Sequence, residues 1–386
     1  LSSEPPHPVL AQGKVRHVGD PVAVVIAETL LEARDAAELV EVDYETLPAV
    51  VNAADARKAG TAVHDIAPDN TCYVWALGAK DAVQQAFTSA KHVTVLEFAN
   101  NRLIPNAIEP RAALAQYSRA EESYTLHVAN QNPHVERLLM TAFVLGLPEH
   151  KVRVIAPDVG GGFGAKFHFY AEESAVALIA KQLNRPAMWS EGRSESFVAT
   201  VHAREAVVDA VIAARRDGTV LGITGDIAAD QGAYMHMVSF GPAWLTAVMM
   251  TNTYLIPNAR ATMRAVVTNK TPTGSYRGWG QPEANFVVER MMDLLARELG
   301  IDPIDLRRKN LIPDDRMPYT SLFHTFDSGF YETALDAGIR LGRIDEWRAD
   351  AGLVDGGRPR PSRRARAAPS RARPSAKAWR AAAARR

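Results

Sequence analysis

Residues 152–183 read VRVIAPDVGGGFGAKFHFYAEESAVALIAKQL, and this stretch decides the fold. The apolar, β-branched run VRVIA predicts a strand, and AEESAVALIAKQL at 171–183 predicts a helix stopped by Asn184 and Pro186. Between them Gly160, Gly161, Gly162 and Gly164 surround Phe163. Four glycines in five positions permit positive φ and let backbone N–H groups approach a ligand without a Cβ in the way. A helix start adds unpaired N–H groups and partial positive charge, so the unit suits an anionic ligand.

Two other segments repeat the design. At 130–134, Asn-Gln-Asn-Pro-His, Asn132 fits a helix cap and Pro133 the first helical position. The helix then runs through VERLLMTAFVL to Gly146, which leaves Gln131 at a helix mouth. At 266–299, VVTNKTPTG leads into SYRGWGQP, where Pro282 fits the first turn of a helix with Val287, Val288, Met291, Leu294 and Leu295 on one core-facing side. Arg277 lies on the entry loop and stays charged at any working pH. Singly, Gln131 reads as a surface amide, Arg277 as a structural ion pair and Trp279 as core packing. Together the three loops predict a pocket for a phosphate-bearing cofactor, with one guanidinium and one carboxamide at its chemistry. Trp279, between Gly278 and Gly280, has so little neighbouring bulk that it could lean over a planar substrate.

Competing motifs match less well. GGGFGAK is no nucleotide P-loop, because no glycine adjoins Lys166 and Phe167 replaces the magnesium-holding Ser or Thr. Gly160, Gly162 and Ala165 do match G-x-G-x-x-A, with Glu191 after a later strand, so an NAD-binding dehydrogenase is an alternative. Against it, Glu191 lies 26 residues beyond Ala165 and alternating parallel strands are lacking. Glu172 and Glu173 suit the first turn of their helix electrostatically. The eleven histidines form no H-E-x-x-H and no i, i+4 pair, so no metal ligand is expected directly from side chains.

The wider chain divides by pattern. PVAVVIA (21–27), a Thr29/Glu32 capping box and VEVDYE (40–45) predict strand, helix and strand, a small α/β unit over residues 1–51. Residues 52–91 read as an interdomain connection, and 92–347 as an α+β domain. The 386 residues hold 44 basic and 44 acidic side chains, but Arg358–Arg386 carries 11 basic and no acidic residue. Residues 1–357 therefore hold 33 basic against 44 acidic, an acidic surface unsuited to nucleic acid. The 348–386 end reads as a disordered basic tail, and its abrupt onset after Gly357 suits a shifted reading frame in GC-rich coding sequence. Cys72 is the one cysteine, which excludes an internal disulfide and a cysteine-held cluster. No apolar run approaches a membrane span and no secretory signal is present, so the cytoplasm is expected. The first residue is Leu1, which points to an N-terminus further upstream.

At GKVRHVGDPVAVVIA, NNRLIPNAIEPRAALA (100–115), Gln131-Asn132, DVGGGFGAK, GAY (232–234), SYRGWGQPEA and ELGIDPIDLRRKN (298–310), the chain resembles the molybdenum-binding large subunit of the xanthine dehydrogenase, aldehyde oxidase and carbon monoxide dehydrogenase family. The resemblance implies part of an α/β hammerhead domain followed by the first molybdopterin-binding domain. It implies a molybdopterin-type molybdenum cofactor, with the cytosine dinucleotide as one form. Gln131, Gly161, Gly162, Phe163, Gly164 and Arg277 would contact that cofactor; Phe167, Arg277 and Trp279 would face substrate. The implied reaction is hydroxylation of an aldehyde or N-heterocycle with oxygen from water. Electrons would leave through FAD and 2Fe-2S clusters on a medium and a small partner subunit, and a second copy of the large subunit is expected in the complex. Gly278 stands where carbon monoxide oxidisers carry a copper-holding cysteine, and Phe167 where purine oxidisers carry a glutamate. The family's catalytic glutamate belongs to a second large domain that this sequence does not match, so the chain alone is expected to be inactive. A non-catalytic relic or assembly module is the remaining alternative.

Overall fold

The computed structural model describes residues 3–350 other than 59, 322 and 323, with the short strands Val354–Asp355 and Arg358–Pro359 beyond. Nine longer strands run in chain order as β1 (Thr71–Gly78), β2 (His92–Leu103), β3 (Ala112–Ser118), β4 (Ser123–Val128), β5 (Val152–Ile155), β6 (Ala187–Ser190), β7 (Ala203–Ala214), β8 (Val220–Asp230) and β9 (Ala259–Val266). They form a five-stranded sheet in the order β1-β9-β8-β7-β2 and a four-stranded sheet in the order β5-β4-β3-β6. Among these nine strands β8/β9 and β4/β5 pair in parallel and the other pairs are antiparallel. The helices are α1 (Leu30–Ala37), α2 (Lys80–Ser89), α3 (Pro133–Leu139), α4 (Ala171–Leu183), α5 (Arg193–Ala199), α6 (Gly241–Val248), α7 (Gln281–Leu299), α8 (Pro303–Asn310), α9 (Tyr331–Leu341) and α10 (Ile344–Asp350). The class is α+β.

Each sheet buries a face under helices, and the five-stranded sheet carries α2 on part of its other face as well. In β9 alternate residues Ala259, Ala261, Met263 and Ala265 turn inward, as the two-residue period requires. Val287, Val288, Met291, Met292 and Leu295 of α7 bury against that sheet, together with Ile212, Ile223 and Ile227. The smaller sheet packs Ala113, Ala115, Leu126 and Val152 under Val176, Ala177 and Ala180 of α4. α4 ends at Asn184, whose left-handed backbone (φ 52°) closes it. The helix begun by α3 continues as a π-helical turn through Leu145 and ends on left-handed Gly146.

Three expectations need correction. The Thr29/Glu32 capping box is formed. Neither 21–27 nor 40–45, however, joins a ladder among the described residues, and Val22, Val24, Ile26 and Val42 stay exposed. A strand needs a partner for its N–H and C=O groups, and beside 21–27 the described contact is a single bond, the Ala11 N–H to Pro21 O at 2.7 Å, which makes no ladder. Residues 52–91, expected as a connection, instead carry β1 and α2. β1 pairs along β9, and Val83 and Phe87 of α2 bury against Val211 and Ala213. At the other end α10 crosses the expected tail boundary and runs to Asp350; the remainder of that tail lies outside the described residues apart from the two short strands.

Candidate functional site

The parallel β4/β5 pair places the two chain ends side by side, with Tyr124 opposite Val152 and His127 opposite Ile155. The segments leaving the carboxyl ends of these strands are the Gln131 turn and the glycine loop, so both emerge at one edge of the sheet. Hydrogen bonds join them: the Gln131 N–H donates to Lys166 O at 2.9 Å, and the Gly164 N–H to Gln131 Oε1 at 2.9 Å. Because Oε1 accepts that bond, the Gln131 amide nitrogen is left as the donor for a ligand. The five-stranded sheet supplies the third piece. After β9 the chain returns to this edge, and the Arg277 N–H donates to Phe163 O at 2.9 Å. Gln131, Phe163 and Arg277 thus share one exposed rim.

Both loops hold an aromatic residue in the left-handed region between glycines. Phe163 has φ 53° beside Gly164 at 101°, and Trp279 has φ 47° between Gly278 at 93° and Gly280 at 104°. Each non-glycine residue so placed costs roughly 1–2 kcal/mol, which the surrounding contacts must hold in place. Gln131 keeps this position only over a bare glycine at Gly162, where a Cβ would fall 2.3 Å from its Oε1. Among the described residues the N–H groups of Gly162 and Phe163 have no acceptor, and the Arg277 guanidinium has no carboxylate partner. Free amides, a free guanidinium and an oriented carboxamide fit an anionic group laid across the loops.

Beneath the loop lies a set of ion pairs, centred on the buried Arg111 and Lys166, that the sequence analysis did not foresee. Glu109 Oε2 accepts from Lys166 Nζ at 2.7 Å and from the Gly160 N–H at 2.7 Å. Arg111 is almost wholly buried, pairs with Glu191 at 2.8 Å and Glu172 at 3.0 Å, and lies 3.7 Å above the Tyr170 ring. Burial works to raise the Glu172 pKa, but the Arg111 charge and hydrogen bonds prevail and hold it below the usual carboxylate range. Glu191 is likewise occupied, by Arg111 and by the Thr200 hydroxyl at 2.7 Å. It is therefore not free for a ribose, and β6 before it runs antiparallel to β3. The NAD reading built on Gly160, Gly162 and Ala165 is corrected on both grounds.

A second acidic pair sits next to the Gln131 turn. Glu136 and Glu173 are buried close enough for Glu173 to raise the proton affinity of Glu136; Glu136 accepts from Asn130 Nδ2 at 3.3 Å, and Glu173 from the Tyr170 N–H at 2.8 Å. Burial pushes the Glu173 carboxyl up to about 8, and burial with the Glu173 charge raises Glu136 well above its ordinary value. The Asn130 side chain in turn accepts from the Asn132 N–H, so Asn132 occupies the cap position without a side-chain cap bond of its own.

The remaining expected residues are placed less freely. The Trp279 ring fills the space over Gly241, where a Cβ would lie 1.7 Å from the ring, and its Nε1 donates to Val238 O at 3.3 Å. The indole is fixed in the fold, which corrects the reading of a ring free to lean over a ligand. Phe167 closes the 3-10 turn Ala165–Phe167 and is half-buried. Cys72 is buried in the β1 core cluster, away from the rim, and burial raises its thiol to about 12. Among the described residues no cluster of three or more His, Cys, Asp or Glu could hold a metal ion, and no helix is long and apolar enough to cross a membrane.

A fold that brings two strand–loop–helix units and an arginine together over free amides defines a cofactor-binding domain for an anionic, phosphate-bearing group. Residues 63–311 match the family described as molybdopterin cofactor-binding domain, and residues 2–48 match the aldehyde oxidase and xanthine dehydrogenase a/b hammerhead domain. The chain belongs to this molybdopterin-binding family. It is 34% identical over 89% of its length to the carbon monoxide dehydrogenase large chain of Hydrogenophaga pseudoflava, covering 45% of that protein. It is 36% identical over 81% of its length to the nicotine 6-hydroxylase large subunit of Paenarthrobacter nicotinovorans, covering 38% of it. Quinoline 2-oxidoreductase from Pseudomonas putida 86 superposes with a TM-score of 0.84 at 31% identity, over 89% of this chain and 44% of that one. The chain thus spans less than half the length of these relatives.

Proposed function

We propose that this chain is part of the large subunit of a molybdenum hydroxylase acting on an N-heterocycle or an aldehyde. The observation that carries the reading is the hydrogen-bonded meeting of Gln131, the 160–164 loop and the Arg277 loop at one rim. When bound, a molybdopterin cofactor supplies the two-electron chemistry that hydroxylation by water requires. The chain's residues supply position and charge. Gly161, Gly162, Phe163 and Gly164 offer backbone to the cofactor; Gln131 Nε2 donates from a fixed orientation; Arg277 draws an anionic or electron-rich group without an internal carboxylate competing for it.

Phe167 presents an apolar ring where the family resemblance places a purine-binding glutamate, which favours a substrate without the polarity of a purine. Two relatives are named for nicotine and quinoline, both N-heterocycles, which supports the same class. Carbon monoxide is disfavoured: Gly278 occupies the copper-ligand position of the resemblance, and the one cysteine is the buried Cys72. Because the chain spans less than half of its relatives, we place the catalytic glutamate, and hence turnover, in sequence outside it. The 1–51, 52–91, 92–347 and 348–386 divisions then become hammerhead part, sheet-bearing lead-in, cofactor domain and foreign end. FAD-binding and 2Fe-2S subunits, a second large subunit, the cytosine dinucleotide form and a cytoplasmic setting complete the proposal. The test is turnover of quinoline, benzaldehyde and xanthine by the complete complex and by this chain alone. The proposal expects quinoline or benzaldehyde to lead and the chain alone to be silent; a preference for xanthine, or turnover by the chain alone, contradicts it.

A further inference from the structure

Two backbone contacts bring the glycine loop and the arginine loop together: the Arg277 N–H donates to Phe163 O, and Gly164 lies so close to Ser275 that a Cβ would fall 2.7 Å from Ser275 O. A third contact uses a side chain. His168, directly after the 3-10 turn that ends the glycine loop, is fully buried, and its Nε2 lies 2.9 Å from the Ser275 nitrogen. The donor there is a backbone N–H, so Nε2 must carry the lone pair and the proton of the neutral ring must sit on Nδ1. Among the described residues Nδ1 has no hydrogen-bond partner.

The surroundings hold the ring in that state. Tyr170 and His236 pack at 6.2 and 5.5 Å between centroids, and neither offers a carboxylate that would favour an imidazolium. Burial, helped by the charge of Arg111, lowers the His168 pKa to about 3. The approach is possible only because residue 274 is glycine: a Cβ there would lie 2.3 Å from Nε2. Ser275 is two residues from Arg277, so the imidazole bears on the stem of the guanidinium loop.

We infer that His168, as its neutral Nδ1–H tautomer, is a positioning residue that sets the gap between the glycine loop and the Arg277 loop by accepting the Ser275 N–H. The inference rests on the proposed cofactor site only for its consequence, which is cofactor retention; the spacing itself is a property of the chain. His168→Leu keeps the volume but removes the acceptor, whereas His168→Gln places an amide oxygen near the position of Nε2. Hydrogen exchange of the Ser275–Gly280 segment in the full chain should speed up about tenfold or more in His168→Leu, the scale of an unmade buried hydrogen bond. It should return toward wild type in His168→Gln. Molybdenum content of the purified complex should follow the same order. Should His168→Leu fail to fold, nitrogen-15 NMR of histidine-labelled wild type still decides the matter, with a proton on Nδ1 expected and a proton on Nε2 overturning the inference. Unchanged exchange in His168→Leu, or no recovery in His168→Gln, also overturns it. Wild-type complex devoid of molybdenum would defeat the cofactor proposal and leave the exchange result standing.

Discussion

The two loops that form the rim share a backbone design but are held by different forces. The glycine loop rests on ions: Lys166 with Glu109, and Arg111 between Glu172 and Glu191, all linked to residues on or just beyond the loop. The arginine loop has one buried ion pair beside it, Arg204 with Glu283, and the Arg204 guanidinium also donates to Arg277 O at 3.0 Å. Otherwise it rests on shape, with Trp279 seated over Gly241 and Gly280 pressed so close to Pro242 that a Cβ would lie 2.2 Å from its carbonyl oxygen. The glycine loop should therefore answer more to charge and pH, and the arginine loop more to side-chain size. The difference also suits the proposed cofactor site, because an anionic ligand over the glycine loop would add negative charge where carboxylates are already neutralised, while the Arg277 guanidinium has no carboxylate partner among the described residues.

The largest effect expected from this contrast is at Arg111. Arg111→Leu leaves Glu172 and Glu191 buried without their cation, and urea unfolding should register a loss of about 3–5 kcal/mol. On the arginine-loop side, Gly241→Val should displace the indole and cost about 1–3 kcal/mol by overpacking, equally at pH 6 and pH 8.

The Glu136–Glu173 pair gives the glycine-loop side a pH slope of definite sign. Both folded-state pKa values are raised, so the protonated pair stabilises the fold fully at acid pH, and that stability declines as pH rises through about 8. Glu172, held low by Arg111, acts in the opposite sense, but only where carboxylates begin to protonate. Glu173→Gln should flatten the decline between pH 6 and 9 in thermal melts; a slope identical to wild type would remove the pair from the account. The smallest stability change is expected for Gly162→Ala, about 1 kcal/mol or less, because Gln131 can swing aside. Its cofactor content should nevertheless fall, since the Gln131 bond to Gly164 is then lost.

Much of this was legible from the polymer. α4 and the start of α7 are written in strong period and in Gly and Pro punctuation, and the three loops that meet at the rim could be named before any geometry because each combines a helix start with a chemically distinct residue. What could not be read follows one rule: it depends on partners far away in the chain. Arg111 meets Glu172 and Glu191 across 61 and 80 residues, and the same residue types in isolation look like ordinary surface charges. β1 escaped notice because it is an edge strand with little alternation of burial, and α2 because its buried stripe is only Val83, Ala86 and Phe87. Residues 21–27 and 40–45 show the converse, strand-like composition that forms no ladder among the described residues. The free ring expected of Trp279 failed for a similar reason, since Gly241, the residue that receives it, lies 38 positions earlier.

The most direct test of the shared rim is molybdenum and pterin analysis of the purified complex, wild type against Gln131→Ala combined with Arg277→Ala. Both side chains are exposed, so folding should be preserved. Stoichiometric molybdenum in the wild type and a marked loss in the double variant at unchanged melting temperature is the result expected. Equal molybdenum in the two proteins would contradict the claim that these segments together hold the cofactor.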